Sequence, residues 1–359
     1  MQLFKCTHCG QLLYFENDKC ERCHYPLGFE TQQLQLLPLV AELDNRTFRL
    51  FGADASGAPT YTYCYNHAEG ACNWLVPTSS NTAFCTACAL NRTIPNLENP
   101  EHKVRWRKLE VAKHRLVYSL LRMGLPVVSK ATDPAHGLSF DFLADTEPAS
   151  GQRVLTGHDD GLITINIAEA DDIEREMARK AMAELYRTLL GHFRHEVGHY
   201  YWDRLIDNTP HLAEFRQLFG DEQDDYSEAL KRHYAQGAPP DWPQHFISSY
   251  ASSHPWEDWA ETWAHYLHIV DTLQTAHAFG LSLSPVGVEA TSYLRATISE
   301  EPYEQDDFRA IMDQWLPLTF AMNSLNRSMG QPDSYPFIIS PPVMEKMAFI
   351  HRVCQGAKR

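Results

Sequence analysis

Leu189-Leu190-Gly191-His192-Phe193-Arg194-His195-Glu196-Val197-Gly198-His199-Tyr200-Tyr201-Trp202 contains the pattern His-Glu-x-x-His. A helix turns about 100° per residue, so His195 and His199 lie one turn apart on one face. Two imidazoles placed that way can bind one Zn²⁺ together, and Glu196 can reach a water on the metal. Tyr186, Leu190, Phe193, Val197 and Tyr201 fall on the opposite face as an apolar stripe. The spacing predicts a helix that packs on a core through one side and faces a cleft with the other.

A metal site needs a third protein ligand. One form of the motif continues as x-x-Gly-x-x-His, but those positions are Trp202 and Leu205. The other form takes a carboxylate from a second helix, as Glu-x-x-x-Asp/Glu. His254-Pro255-Trp256-Glu257-Asp258-Trp259-Ala260-Glu261-Thr262-Trp263 fits it. Pro255 suits the first turn of a helix. Glu257, Glu261, Ala264 and His268 then share one face, and Trp256, Trp259, Trp263, Tyr266, Leu267 and Val270 the other. The expected ligands are His195, His199 and Glu257, with water in the fourth place and Glu261 accepting the free N–H of a ligating His. Exchanging the roles of Glu257 and Glu261 is the alternative; Asp258 points about 100° away. Tyr250 is the first candidate for a donor to a developing oxyanion, with His254 and His265 behind it. His192 is expected to line the cleft and Arg194 to be a surface or supporting charge.

Eight of the nine Cys fall in the first 88 residues. Cys6-x-x-Cys9 and Cys20-x-x-Cys23 have the spacing of two knuckles that close a tetrahedral Cys₄ zinc site. Cys64, Cys72, Cys85 and Cys88 form a second set with a longer first spacing, which predicts a second structural zinc. The expected complement is one catalytic zinc and one or two structural ones. Cys354 stands alone and reads as a buried or free thiol.

The chain has 359 residues and a net charge of −15. That length allows two domains, and the boundary is expected near Asn91-Arg92-Thr93-Ile94-Pro95. This gives a zinc-ribbon module at 1–95 and a metallopeptidase domain at 96–359. The charge argues against nucleic acid and anionic membrane as partners. No run of 18 apolar residues predicts a transmembrane helix, and the first residues carry no secretory pattern, so a cytoplasmic location is expected.

His102 to Met123 reads as a long helix, with Lys103, Arg105, Arg107, Lys108, Lys113 and Arg115 on a solvated basic face. Pro126-Val127-Val128, Leu138 to Phe142 and Leu162 to Ile167 read as strands. The last of these, shortly before the zinc motif, is suggested to pair with an extended substrate by edge addition. Leu212 to Tyr234 reads as helical, acidic around Asp221 to Asp225.

The early Cys pairs, Cys72-Asn73-Trp74-Leu75-Val76, Gly157-His158-Asp159-Asp160-Gly161, Tyr186 to Glu196 and His254 to Glu261 together resemble the bacterial zinc-binding metallopeptidases that carry an N-terminal zinc ribbon. The resemblance spans nearly the whole chain. It implies an α+β, gluzincin-like zincin fold with metal at His195, His199 and Glu257 and Glu196 as general base. The expected activity is hydrolysis of a protein or peptide substrate by a zinc-activated water, with the ribbon recruiting substrate or a protein partner. The alternative is a non-catalytic zinc-ribbon interaction module on a zincin scaffold.

Overall fold

A computed structural model describes residues 1–54, 57–145, 154–181, 188–286 and 292–358. Tyr186, expected on the apolar stripe, lies outside the described residues. The N-terminal part begins with a hairpin, β1 (Phe4–Lys5) with β2 (Leu12–Leu13). An antiparallel meander follows in chain order: β3 (Leu27–Glu30), β4 (Gln35–Ala41), β5 (Phe48–Leu50), β6 (Tyr61–Tyr63) and β7 (Leu75–Pro77). These strands are short, and turns separate them. The segment therefore leans on its cysteines and on the next helix to complete its core.

That helix, α1 (Pro100–Arg122), starts at Asn99, whose side chain accepts from the backbone N–H of Glu101 and His102. Its buried face meets an aromatic cluster from the N-terminal part. Tyr118 packs edge-on against Phe15 at 5.6 Å and Phe29 at 6.1 Å, and Phe29 lies 4.6 Å from Trp74. One continuous core runs from Phe4 through α1 to the last helix. The basic face of α1 is only partly solvated, with Lys108 exposed and most of the other cations paired. Lys103 pairs with Glu69 at 2.6 Å, Arg105 with Asp171 at 2.6 Å and Arg115 with Glu16 at 2.7 Å. Lys113 is wholly buried, with its amine on Glu110 at 2.9 Å and on the Asn91 side chain. Burial alone would depress the Lys113 amine, but Glu110 and the Cys88 thiolate hold it above its ordinary value. The cations tie α1 to its neighbours in the chain and in space.

The second sheet has the order β10 (Gly157–Asp159), β11 (Leu162–Asn166), β9 (Ser139–Leu143), β8 (Asn91–Thr93). β11 and β8 each pair parallel with β9, and β10 closes the far side antiparallel to β11. The strand proposed from sequence as a substrate edge, β11, is thus internal; β10 is the edge. Pro126 to Val128 forms no strand. The sheet buries Phe140, Phe142, Ile163 and Ile165 beneath the motif helix α3 (Leu189–Leu205), where Phe193 lies 5.6 Å from Phe140. Before α3 comes α2 (Asp172–Ala181). The stretch read as one helix from Leu212 is two, α4 (Leu212–Phe219) and α5 (Tyr226–Gln236), broken at Gly220, whose φ of 107° no ordinary helix accepts.

The second zinc-motif helix, α6 (Pro255–Ala278), is buried on almost every side, against α3, α4, α7 (Phe308–Ser328) and α8 (Pro341–Ala357). Its expected polar face therefore looks into the protein, and each polar group there has a task. Asp258 pairs with the buried Lys346 of α8 at 2.6 Å. Arg194 of α3 is buried, not at the surface, and pairs with Asp271 of α6. No described helix is long and apolar enough to cross a membrane.

Where α3 crosses α6, Gly198 lets the backbones touch. A Cβ there would sit 3.1 Å from Ala260 Cα and 3.2 Å from Trp263 Cδ1. Trp259 Nε1 donates to Gly198 O at 2.8 Å and fixes the register. Gly198→Val should destabilise the protein by about 1–3 kcal/mol through overpacking, read from the midpoint of urea unfolding. Lys113→Ala should cost about 3–5 kcal/mol, because it takes the ammonium from the buried Glu110 and leaves that carboxylate to the Asn91 amide and His114; the same titration checks it.

Candidate metal centres

His195 and His199 point from α3 towards α6 one turn apart, as the spacing predicts. Glu257, in the first turn of α6, lies between them. His195 Nε2 is 3.1 Å from Glu257 Oε2, and His199 Nε2 is 3.7 Å from Glu257 Oε1. One ligand atom from each of the three lies within 4.8 Å of the others. The His254 side chain caps α6, accepting from the backbone N–H of Trp256 at 3.1 Å while its other nitrogen donates to Asp224 O at 3.0 Å. Both of its nitrogens are thus engaged, so the expectation of His254 as a reserve oxyanion donor is not met. His265 is also buried, with Nδ1 on the Tyr335 hydroxyl at 2.8 Å.

Glu261, one turn after Glu257, takes the supporting position. Its Oε1 accepts from His195 Nδ1 at 2.8 Å and its Oε2 from Ser248 Oγ at 2.6 Å. This bond puts the proton of a neutral His195 on Nδ1 and bares Nε2. Tyr226, which carried no signal in the sequence, donates to Glu257 Oε1 at 2.6 Å. The other oxygen, Glu257 Oε2, is buried, has no well-aligned donor and faces His195 Nε2 at 3.1 Å. A buried carboxylate placed this way needs a cation against it, either a protonated His195 or a bound ion. The donor set of two imidazoles and a carboxylate is the one zinc takes at sites that keep a position open, so these residues fit the ion.

The other sequence candidates gather round. Glu196 is buried next to His195, and burial raises its carboxyl while His192 and the ligand imidazoles bring it below the usual range. The Tyr250 ring is 6.1 Å from that of His195. His158, on the edge strand β10, stacks on His199 with ring centroids 6.0 Å apart. His158 Nε2 accepts the Gly161 N–H at 2.8 Å, and burial drives the ring's pKa down to about 4. Tyr226 and His158 come from segments far away in sequence, and no local periodicity marks them.

The two Cys sets also converge. Cys6 Sγ is 3.7 Å from Cys23 Sγ, Cys9 Sγ 3.6 Å from Cys20 Sγ, and Cys72 Sγ 3.7 Å from Cys85 Sγ. Disulfide sulfurs stand about 2.05 Å apart. Four sulfurs around one zinc, each bonded at about 2.3 Å, stand about 3.8 Å apart. These separations suit tetrahedral thiolate sites and exclude disulfides between these pairs. Backbone N–H groups of Trp74 and Cys85 donate to Cys72 and Cys64 sulfurs at 3.3 and 3.4 Å. At the second set α1 also takes part, since His114 Nε2 lies 3.7 Å from Cys88 Sγ. Cys354 is a buried free thiol remote from both.

Residues 102–353 match the family described as "putative zinc-binding metallo-peptidase". The chain belongs to that family. Residues 3–99 match a zinc-ribbon domain, so this family member joins a ribbon to an α+β metallopeptidase-family domain. Similar chains are uncharacterized proteins of Mycobacterium bovis and of two Mycobacterium tuberculosis strains. Each is 42% identical over 354 residues, which cover 98% of this chain and 95% of the relative. No solved structure matches the chain.

Two measurements test the centres. Elemental analysis should find three zinc ions per chain, one for each of the two Cys sets and one for His195, His199 and Glu257, falling by one in Cys20→Ser, in Cys85→Ser or in Glu257→Ala. In the protein alone, burial disfavours the charged form of His195, but Glu257 and Glu261 outweigh it and hold the pKa well above the ordinary value. An incoming ion must displace that proton. Zinc binding near pH 7 should therefore release about one proton, and affinity should rise with pH; calorimetry in buffers of different protonation enthalpy reads both.

Proposed function

We propose that the chain is a zinc-dependent peptidase that cuts peptide bonds in a protein or peptide substrate. His195, His199 and Glu257 would hold the catalytic zinc, with Glu261 supporting His195. The observation that carries this reading is the buried Glu257 carboxylate set against two imidazoles, its Oε2 3.1 Å from His195 Nε2 and its Oε1 3.7 Å from His199 Nε2, with an intact Glu196 beside them. A purely structural site would gain more from a fourth protein ligand than from an adjacent base.

When bound, the ion supplies Lewis acidity, which acidifies water and polarises the scissile carbonyl. Glu196 accepts the proton from the attacking water and hands it to the leaving amine, as base and then acid. Tyr250, beside His195, is the donor offered to the developing oxyanion. Tyr226 has its hydroxyl on Glu257 and serves instead to orient that ligand. The edge strand β10 runs beside His199 and suits backbone pairing with an extended peptide. Residues 1–95 act as the zinc-ribbon module with two Cys₄ sites, recruiting the substrate or a protein partner, and residues 96–359 as the peptidase domain. The net charge of −15 weighs against nucleic acid in that role, and the thiol-rich sites suit a cytoplasmic setting.

Glu196→Gln is the decisive variant. It should keep the zinc content of the wild type and lose hydrolysis by at least about 100-fold. Both proteins are incubated with a cell lysate, and new peptide termini are compared by mass spectrometry. Identical termini in the two samples would remove the peptidase reading and favour a scaffold whose ribbon binds a partner.

A further inference from the structure

Glu196 is not a solitary carboxylate. His192, one turn earlier on α3, has Nε2 3.1 Å from Glu196 Oε1, and its Nδ1 meets Glu169 Oε2. Glu169 sits in the short turn Ile167–Ala170 that links β11 to α2. Its other carboxylate oxygen accepts from Thr156 Oγ1, and Arg175 Nη1 donates to its carbonyl at 2.8 Å. The same turn is held from α1, where Lys108 Nζ donates to Ala170 O at 3.3 Å and Arg105 pairs with Asp171.

Both nitrogens of His192 thus face carboxylate oxygens. Ionised carboxylates only accept, so both nitrogens donate and the ring is an imidazolium. Burial opposes that charge, but Glu169 and Glu196 outweigh it and push the ring's pKa up to about 9. A helix alone brings residues four apart near each other without fixing their rotamers. The contact with Glu169 does fix the ring.

We propose that Glu169 and His192 are positioning residues for Glu196. This rests on the reading of Glu196 as the general base. The imidazolium occupies Oε1 and stops the carboxylate from rotating, which leaves Oε2 for the water's proton. Misplacing a base by about 1 Å is enough to cost about 100-fold in rate, so the pair acts on turnover and not on metal or substrate affinity.

The test has two arms. Ring-nitrogen NMR of the ¹⁵N-labelled zinc-loaded protein, with His192 assigned by its loss in His192→Gln, should show two protonated nitrogens in the wild type at neutral pH. Glu169→Gln should leave one. A wild-type ring with a single protonated nitrogen overturns the proposal. In the second arm, turnover is measured on the bond that the lysate comparison identifies. His192→Gln and Glu169→Gln should keep zinc content and keep KM within about twofold, and lower kcat about 10–100-fold. In a Glu196→Asp background, His192→Gln should add little further loss, because the two act as one unit. Lost zinc, or losses that multiply, would sink the positioning role alone. No cleavage by the wild type would instead sink the base assignment, and this proposal with it.

Discussion

The contact between Gly198 and Ala260 governs the molecule. Two helices bring the metal-site side chains, and their separation sets whether imidazoles and carboxylate can share an ion. Here a missing Cβ lets the backbones close up, and the Trp259 indole N–H on the Gly198 carbonyl locks the slide along the axes. Glu257 then sits against both imidazoles, with Oε1 on Tyr226 and Oε2 facing His195. The surrounding aromatic packing, Tyr201 on Trp263 at 5.1 Å and Phe215 on Trp259 at 6.0 Å, stiffens that crossing.

The parts of the site that could be read in the sequence are those that local geometry dictates. His195, Glu196 and His199 obey helical spacing, and Glu257 and Glu261 repeat it on a second helix. The Cys pairs carry their own spacing. Tyr226, His158 and Glu169 could not be read this way. Each reaches the site through a tertiary contact across roughly 25 to 40 residues. His158 does lie in one of the stretches that carried the family resemblance, but nothing in its neighbours marks it as a cleft residue.

The readings that failed did so for related reasons. A row of cations on α1 resembles a solvated face, because periodicity does not report what lies opposite; Glu69, Asp171 and Glu16 lie there. The alternation of Leu162 to Asn166 reveals a strand but not its place in the sheet, and the three-residue β10 that covers it is too short to show a pattern. Arg194 reads as either a surface or a supporting charge, and only the burial of α6 decides for the second, since Asp271 is 77 residues away in sequence. In each case the missing information was the identity of a distant neighbour.

The continuous core across α1 has an architectural consequence. Phe15, Phe29 and Trp74 on one side and Tyr118 on the other form a shared aromatic seam, with the buried Lys113 and Glu110 just beyond it. β8, which follows the ribbon's last cysteine, Cys88, even lends itself to the second sheet. Cutting the polypeptide between its two family segments would therefore expose a greasy scar on both fragments. The ribbon behaves as a keystone wedged into the metallopeptidase-family domain, so loosening its cysteine clusters would disturb the packing of α1, which also holds the turn that carries Glu169.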